Sequence, residues 1–214
     1  MSILDRIASR QNRRDDIPNQ ELARELVEFN NLAGVKEIAE NLHCKGKNIQ
    51  SDCIKVLYEV GYLKPEMIAD YASDFTSLLK SKNNRLVWGS MIALSTVASL
   101  KADMIYENLD RIYTAMNQGS VITKDNGIKV LATIASQNKQ YEKAIFPYLL
   151  DHLKTCRPKE VCQHAESTFV AVYNQNKDNF IQILKQRESN LTSSQLTRLK
   201  KLYKAIDNCT NGCQ

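Results

Sequence analysis

Glycine and proline are scarce in this chain, at 7 and 4 of 214 residues. Such a composition leaves little room for loop-rich or collagen-like folds and suits a chain that is mostly helix with short turns. Long apolar runs are missing as well. None approaches the ~20 residues that a membrane span requires, and the opening MSILDRIASRQNRRDD has no apolar stretch of the secretory kind. No membrane partner is expected.

The signatures of common chemistries are also absent. The 3 histidines form no H-E-x-x-H, and there is no G-x-G-x-x-G, G-x-x-x-x-G-K-S/T or G-x-S-x-G. His43 and His152 end helical patterns, where a basic side chain suits the helix dipole. The 6 cysteines make no C-x-x-C pair. Cys156, Cys162 and His164 read C-x5-C-x-H, whereas structural zinc sites pair ligands across two to four residues and need a fourth. No metal or other cofactor is expected. Cysteine nucleophily fares no better, because Cys162 and His164 lie two apart and point different ways on a helix. Cys53 and Cys162 read as small apolar fillers in a reducing, cytoplasmic setting. Cys209 and Cys213, in a polar tail over 209–214, are open to adventitious oxidation.

What the chain does have is an internal rhyme. Ile38, Phe75, Ile112 and Leu149 stand 37 residues apart, as do Val35, Ala72, Leu109 and Phe146. Leu42, Leu79, Met116 and Leu153 make a third ladder, and Ile54, Met91 and Ile128 a fourth. A single globular core gives no reason for such spacing. Stacked helical hairpins do, because each buries its open face against the next copy.

The pattern predicts a charged leader over 1–18, a helix over 19–31 opened by Pro18, and five hairpins near 33–62, 67–99, 104–137, 141–175 and 178–206. The first helices of the hairpins are expected at 34–43, 67–80, 104–117, 141–154 and 178–189. The second helices are expected at 48–60, 85–98, 123–136, 159–174 and 193–206. One repeat domain over 19–208 would hold them. The period slips to 38 in the last hairpin, where Leu149 maps to Arg187. Thr192 and Gln195 form a capping box for a closing helix whose apolar stripe is Leu196, Leu199, Leu202, Tyr203 and Ile206.

The stretch IFPYLLDHLKTCRPKEVCQHAESTFVAV, with Pro147, Pro158, Val161, Ala165, Phe169 and Val172, resembles the HEAT-repeat pattern. RLVWGSMIALSTVA keeps the same rhythm through Leu86, Ser90, Ala93, Leu94 and Val97. Cys162 stands where that pattern usually has a basic residue, and the first and last repeats match poorly. The resemblance, strongest over 85–174, is to the HEAT/armadillo-like family. It implies an all-α, right-handed α-α superhelix of about five hairpins, whose second helices line a concave side.

Helical phase then selects the groove-facing positions. They are Ser51, Lys55, Tyr58 and Tyr62; Trp88, Ile92, Ser95 and Ser99; Asp125, Lys129, Ala132 and Ser136; and residues 163, 167, 170 and 174. Trp88, Tyr58, Lys55, Lys129, Asp125 and Tyr62 are the candidate partner-binding residues, since exposed aromatics anchor interfaces. A second feature is the basic inter-helix turns, with Lys80, Lys82, Arg85, Lys154, Arg157 and Lys159 at one edge. Net charge is +5, mild enough to permit an anionic partner without requiring one.

The expected function is a non-enzymatic scaffold for a protein or peptide, as a monomer or weak homo-oligomer. The alternative is nucleic-acid binding through the basic edge. HEAT-like alkylpurine DNA glycosylases hold DNA in a basic groove with aromatics and an Asp, which Trp88, Tyr58, Asp125, Lys55 and Lys129 loosely imitate. The second Trp of that group is missing, as are the paired His-Glu motifs of HEAT-repeat hydroxylases.

Overall fold

The computed structural model describes the backbone of residues 2–211 and side chains through residue 208. The polar tail expected at 209–214 therefore lies largely outside the described residues, as do Cys213 and the side chain of Cys209. All regular structure described is helical: twelve α-helices and several short 3-10 turns, with no strand among the described residues. The chain divides into two compact units, Met1–Gly127 and Ile128–Gln214.

In the first unit, 3-10 turns at Ile3–Arg6 and Ala8–Gln11 precede α1 (Ile17–Glu28). The charged leader is tied down by a small apolar kernel: Ile7 and Ala8 are buried. The Ala8 N–H donates to Asn19 Oδ1 at 3.0 Å, the Ser9 N–H to Asp52 Oδ2 at 2.8 Å, and Asn19 Nδ2 to Asp52 Oδ1 at 2.8 Å. Buried polar groups of this kind persist only when paired, and here three segments satisfy one another.

α2 (Leu32–Glu40) starts where the Asn31 carboxamide accepts the Gly34 N–H at 2.8 Å, and α3 (Lys47–Leu63) follows. α4 (Ala72–Leu78), α5 (Asn84–Val97), α6 (Ala102–Tyr106), α7 (Leu109–Gln118) and α8 (Val121–Ala135) continue the alternation. The boundary between the units falls within α8.

Two expected helices are broken. The span 67–80 is a run of 3-10 turns, Pro65–Met67 and Ala69–Tyr71, before α4. Pro65 presets the turn by fixing its own φ. The span 104–117 divides at Asn108, whose Nδ2 donates to the Met104 carbonyl at 2.9 Å. Asparagine competes with the helix for backbone partners, so α6 ends and α7 restarts.

The repeat ladders form most of the core, with Leu109 alone among their members half-buried. Ile38, Phe75, Ile112 and Leu149 are each 0% exposed, as are Ile54, Met91 and Ile128. α3 and α5 meet across two glycines. A Cβ on Gly61 would stand 2.3 Å from Thr96 Oγ1, and one on Gly89 would stand 2.8 Å from Ile54 Cγ1. Small residues at these points let the two helices approach side by side, which sets the spacing of the aromatic residues beside them.

In the second unit, α9 (Lys139–Thr155) is capped by Asn138, whose Oδ1 accepts the Tyr141 N–H at 2.9 Å. α10 (Pro158–Thr168) opens with proline and carries Glu160 in its first turn, accepting the Arg157 N–H at 3.2 Å. It ends earlier than expected, passing into a 3-10 turn at Phe169–Ala171. α11 (Lys177–Arg187) and α12 (Ser193–Asn211) complete the unit. The Thr192–Gln195 box forms, with the Thr192 N–H donating to Gln195 Oε1 at 2.8 Å. Leu199, Leu202 and Ile206 are buried on α12, and Lys200, Lys201 and Lys204 are exposed.

The ladder position that becomes Arg187 also has a structural reason. Arg187 is buried, and its guanidinium donates to the carbonyls of Leu153 and Cys156, both at 2.6 Å. It satisfies the last turn of α9, whose carbonyls have no partner within the helix.

Candidate functional site

On α3, Lys55, Tyr58, Glu59 and Tyr62 recur at intervals of three and four and so share one face. α5 brings Trp88 beside them, because its neighbour Gly89 lets the helix sit close on Ile54. The Tyr58 and Trp88 ring centroids are 6.1 Å apart and tilted by 54°. Tyr58 and Tyr62 make an edge-to-face pair at 6.0 Å. Rings in such geometry attract one another beyond their area burial, by about 0.5–1.5 kcal/mol per pair. Tyr58 is the buried floor at 5% exposure, Tyr62 is open at 55%, and Trp88 is half-exposed. The result is a rigid aromatic ledge.

Lys55 belongs to that ledge, although its charge is already answered. Its Nζ sits 4.9 Å above the Tyr58 ring, donates to Glu59 at 2.7 Å and lies 3.5 Å from Asp16 of the leader. Burial opposes the ammonium, but hydrogen bonds with Glu59 and Tyr58 outweigh it and raise the Lys55 pKa above its ordinary value. One cation facing two carboxylates leaves this end of the ledge mildly acidic. Burial also pushes Cys53 up to about 12, so it stays a thiol and offers no nucleophile.

Asp125 is half-exposed and Lys129 exposed, both on α8. Ile92 and Ala132, expected in the groove by phase, are buried instead. A helix flanked on both sides leaves a narrower open strip than its phase alone implies.

Among the basic residues, Lys80, Lys82 and Arg85 are exposed at the turn between α4 and α5. Two of the others are answered by acids. Lys154 pairs with Asp151 at 2.8 Å, and Arg157 pairs with Glu160, with its Nε donating at 2.9 Å. Lys159 is exposed.

A second cluster, in the other unit, escaped the reading of spacing. His152 on the last turn of α9 and Cys156, the residue that caps its C-terminus, face His164 on α10, with one donor atom from each within 4.8 Å of the other two. His152 Nε2 and His164 Nδ1 are 2.9 Å apart. Cys162, which spacing had grouped with Cys156 and His164, points away and donates to the Gln195 carbonyl at 3.4 Å. A signal was present in the repeat itself. The column Asn41, Leu78, Ala115 becomes His152, and the column Cys53, Ser90, Gly127 becomes His164, both within one hairpin.

Neither a protein-family model nor a curated protein sequence matches this chain. Solved structures do. An engineered protein, a Northeast Structural Genomics Consortium target, superposes with a TM-score of 0.67 at 16% identity, over 98% of each chain. A designed armadillo repeat protein in complex with the peptide (KR)4 gives a TM-score of 0.67 at 13% identity, over 87% of this chain and 86% of that one. The fold is an armadillo/HEAT-like helical repeat. A further engineered protein covers 97% of this chain and 100% of its own, with a TM-score of 0.63 and 16% identity. At these identities the likeness carries the fold alone. No described helix is long and apolar enough to cross a membrane.

Proposed function

We propose that this chain is a non-enzymatic scaffold that binds an extended peptide or a protein segment across the α3–α5 face. The observation that carries the reading is the ledge of Tyr58, Tyr62 and Trp88, held by close-packed helices and open on one side. Aromatic side chains on a rigid support bind with little ordering cost, which is where much association energy is otherwise lost. The fold supports the same reading, since a designed armadillo repeat protein of this architecture is solved with a peptide bound. Ring faces and the carboxylates of Glu59 and Asp16 favour lysine or arginine side chains in the bound segment. A reducing, cytoplasmic setting belongs to this proposal, and Cys44, Cys53, Cys156 and Cys162 are all unbridged.

The second reading is nucleic-acid binding, favoured by the exposed trio Lys80, Lys82 and Arg85. Calorimetric titration at physiological salt with the octapeptide (Lys-Arg)4, and separately with duplex DNA, separates the two. Saturable peptide binding that Trp88→Ala weakens at least tenfold supports the scaffold. DNA binding that falls steeply with salt and is lost on changing Lys80, Lys82 and Arg85 to Glu, with no peptide binding, overturns it.

A further inference from the structure

We propose that His152, Cys156 and His164 form a three-ligand site for a borderline-soft divalent cation, Zn2+ foremost. The donor set decides the class. Two imidazoles and a thiol suit zinc, whereas Ca2+ and Mg2+ require oxygen ligands.

The placement of the three residues fits such a site. His152 stands in the last turn of α9 and Cys156, four residues on, caps that helix, while His164 comes from the packed helix α10. The His152 Nε2 to His164 Nδ1 separation is 2.9 Å. With zinc–nitrogen bonds of roughly 2.0–2.1 Å, a tetrahedral N···N edge is about 3.4 Å, so parting the rings by about half an ångström admits the ion. The thiol sulfur lies within 4.8 Å of a ring nitrogen of each histidine. The corresponding N···S edge is about 3.6 Å, which a small torsion of Cys156 closes.

The cluster is largely enclosed, with one open side. His164 is 0% exposed and Cys156 8%, while His152 is half-exposed and marks the side from which metal enters and a fourth ligand, water, completes the shell. The carbonyls at this end of α9 are capped by the buried Arg187 guanidinium, a positive charge that also lies against the Cys156 thiol. Arg187 fixes the Cys156 carbonyl at 2.6 Å and holds the residue in place; the thiol now lies 3.8 Å from the Leu153 carbonyl and would turn from it to the ion. On binding, the thiol proton goes to solvent and the proton shared between the rings moves off the ligating edge, so affinity falls on acidification.

The repeat adds an independent argument. Packing alone is met by Asn41, Leu78 and Ala115, or by Cys53, Ser90 and Gly127, at the equivalent positions of other hairpins. Only this hairpin turns both columns to histidine. A bound ion would pin the end of α9 to α10.

Cobalt(II) titration of the reduced full-length chain tests the site, with optical absorption as the readout. The expected result is one equivalent bound, with intense visible bands of four-coordinate cobalt and a near-ultraviolet thiolate-to-cobalt band, both abolished by added Zn2+. Cys156→Ser should remove the thiolate band, and His152→Gln should weaken binding at least tenfold. Cys162→Ser, and the Cys209→Ser/Cys213→Ser pair, should leave the spectrum unchanged. His152 is half-exposed, so its variant keeps the test sound if the buried positions tolerate no change. Absence of the thiolate band in the wild type, its survival in Cys156→Ser, or its loss in the Cys209/Cys213 variant would overturn the site.

Discussion

Replacing Arg187 by methionine isolates one interaction on which the second unit depends. The long stem is kept in volume, but the two donors to the Leu153 and Cys156 carbonyls, both at 2.6 Å, are lost. Hydrogen bonds from charged donors contribute about 1.5–3 kcal/mol each, so two amount to roughly 3–6 kcal/mol. Removing a buried guanidinium returns part of that, because its own desolvation cost disappears. The net loss should be about 2–4 kcal/mol, a large share of the 5–15 kcal/mol that typically separates folded from unfolded chains. Arg187→Lys keeps the charge but reaches only one carbonyl at a time, so it should fall between methionine and wild type. Urea denaturation followed by far-ultraviolet circular dichroism measures the midpoints. A methionine variant within about 0.5 kcal/mol of wild type would show that the α9 carbonyls are satisfied in some other way, and would refute the reasoning.

Three other outcomes follow from named contacts. Gly89→Ala should destabilise the first unit by about 1 kcal/mol in thermal melts, because overpacking at 1–3 kcal/mol exceeds the ~1 kcal/mol gained in helix propensity. Ile54→Val should not rescue it, since the close atoms at 2.8 and 2.9 Å are Cγ1 and Cγ2, which valine retains. The Arg157 guanidinium holds the Glu160 carboxyl below its usual range, and burial opposes this only in part. That contribution is complete above the unfolded value near 4.5 and is lost as pH falls through the lower folded value. Glu160→Gln should therefore flatten the acid limb of stability against pH, and an unchanged limb would contradict the pairing. Trp88→Ala should lower peptide affinity at least tenfold while moving the melting temperature little, because the ring is half-exposed.

The repeat was legible because apolar spacing reports burial directly: Phe75, Ile112 and Leu149 are ladder members and are fully buried. The breaks were not, because they turn on single side chains that compete for backbone groups, such as Asn108 with the Met104 carbonyl. Tyr62 is exposed and Trp88 half-exposed, but phase could not show Tyr58 as their buried floor. Nor could it show Lys55 held by Asp16, since that pairing comes from the distant leader. Linear spacing grouped Cys156 with Cys162, and only the packing of α9 against α10 replaces Cys162 with His152. Local patterns carry helices and faces, whereas convergence between helices depends on side-chain direction at the contact.

The sole tryptophan gives the most direct test of the peptide-binding face, since its indole N–H is a single resolved signal in a 1H–15N spectrum. Titration with (Lys-Arg)4 at physiological salt should shift that signal in a saturable way, together with amides of Glu59, Tyr62 and their neighbours on α3 and α5. An unmoved indole signal, with shifts confined to the Lys80–Arg85 turn or absent altogether, would contradict the assignment of this face.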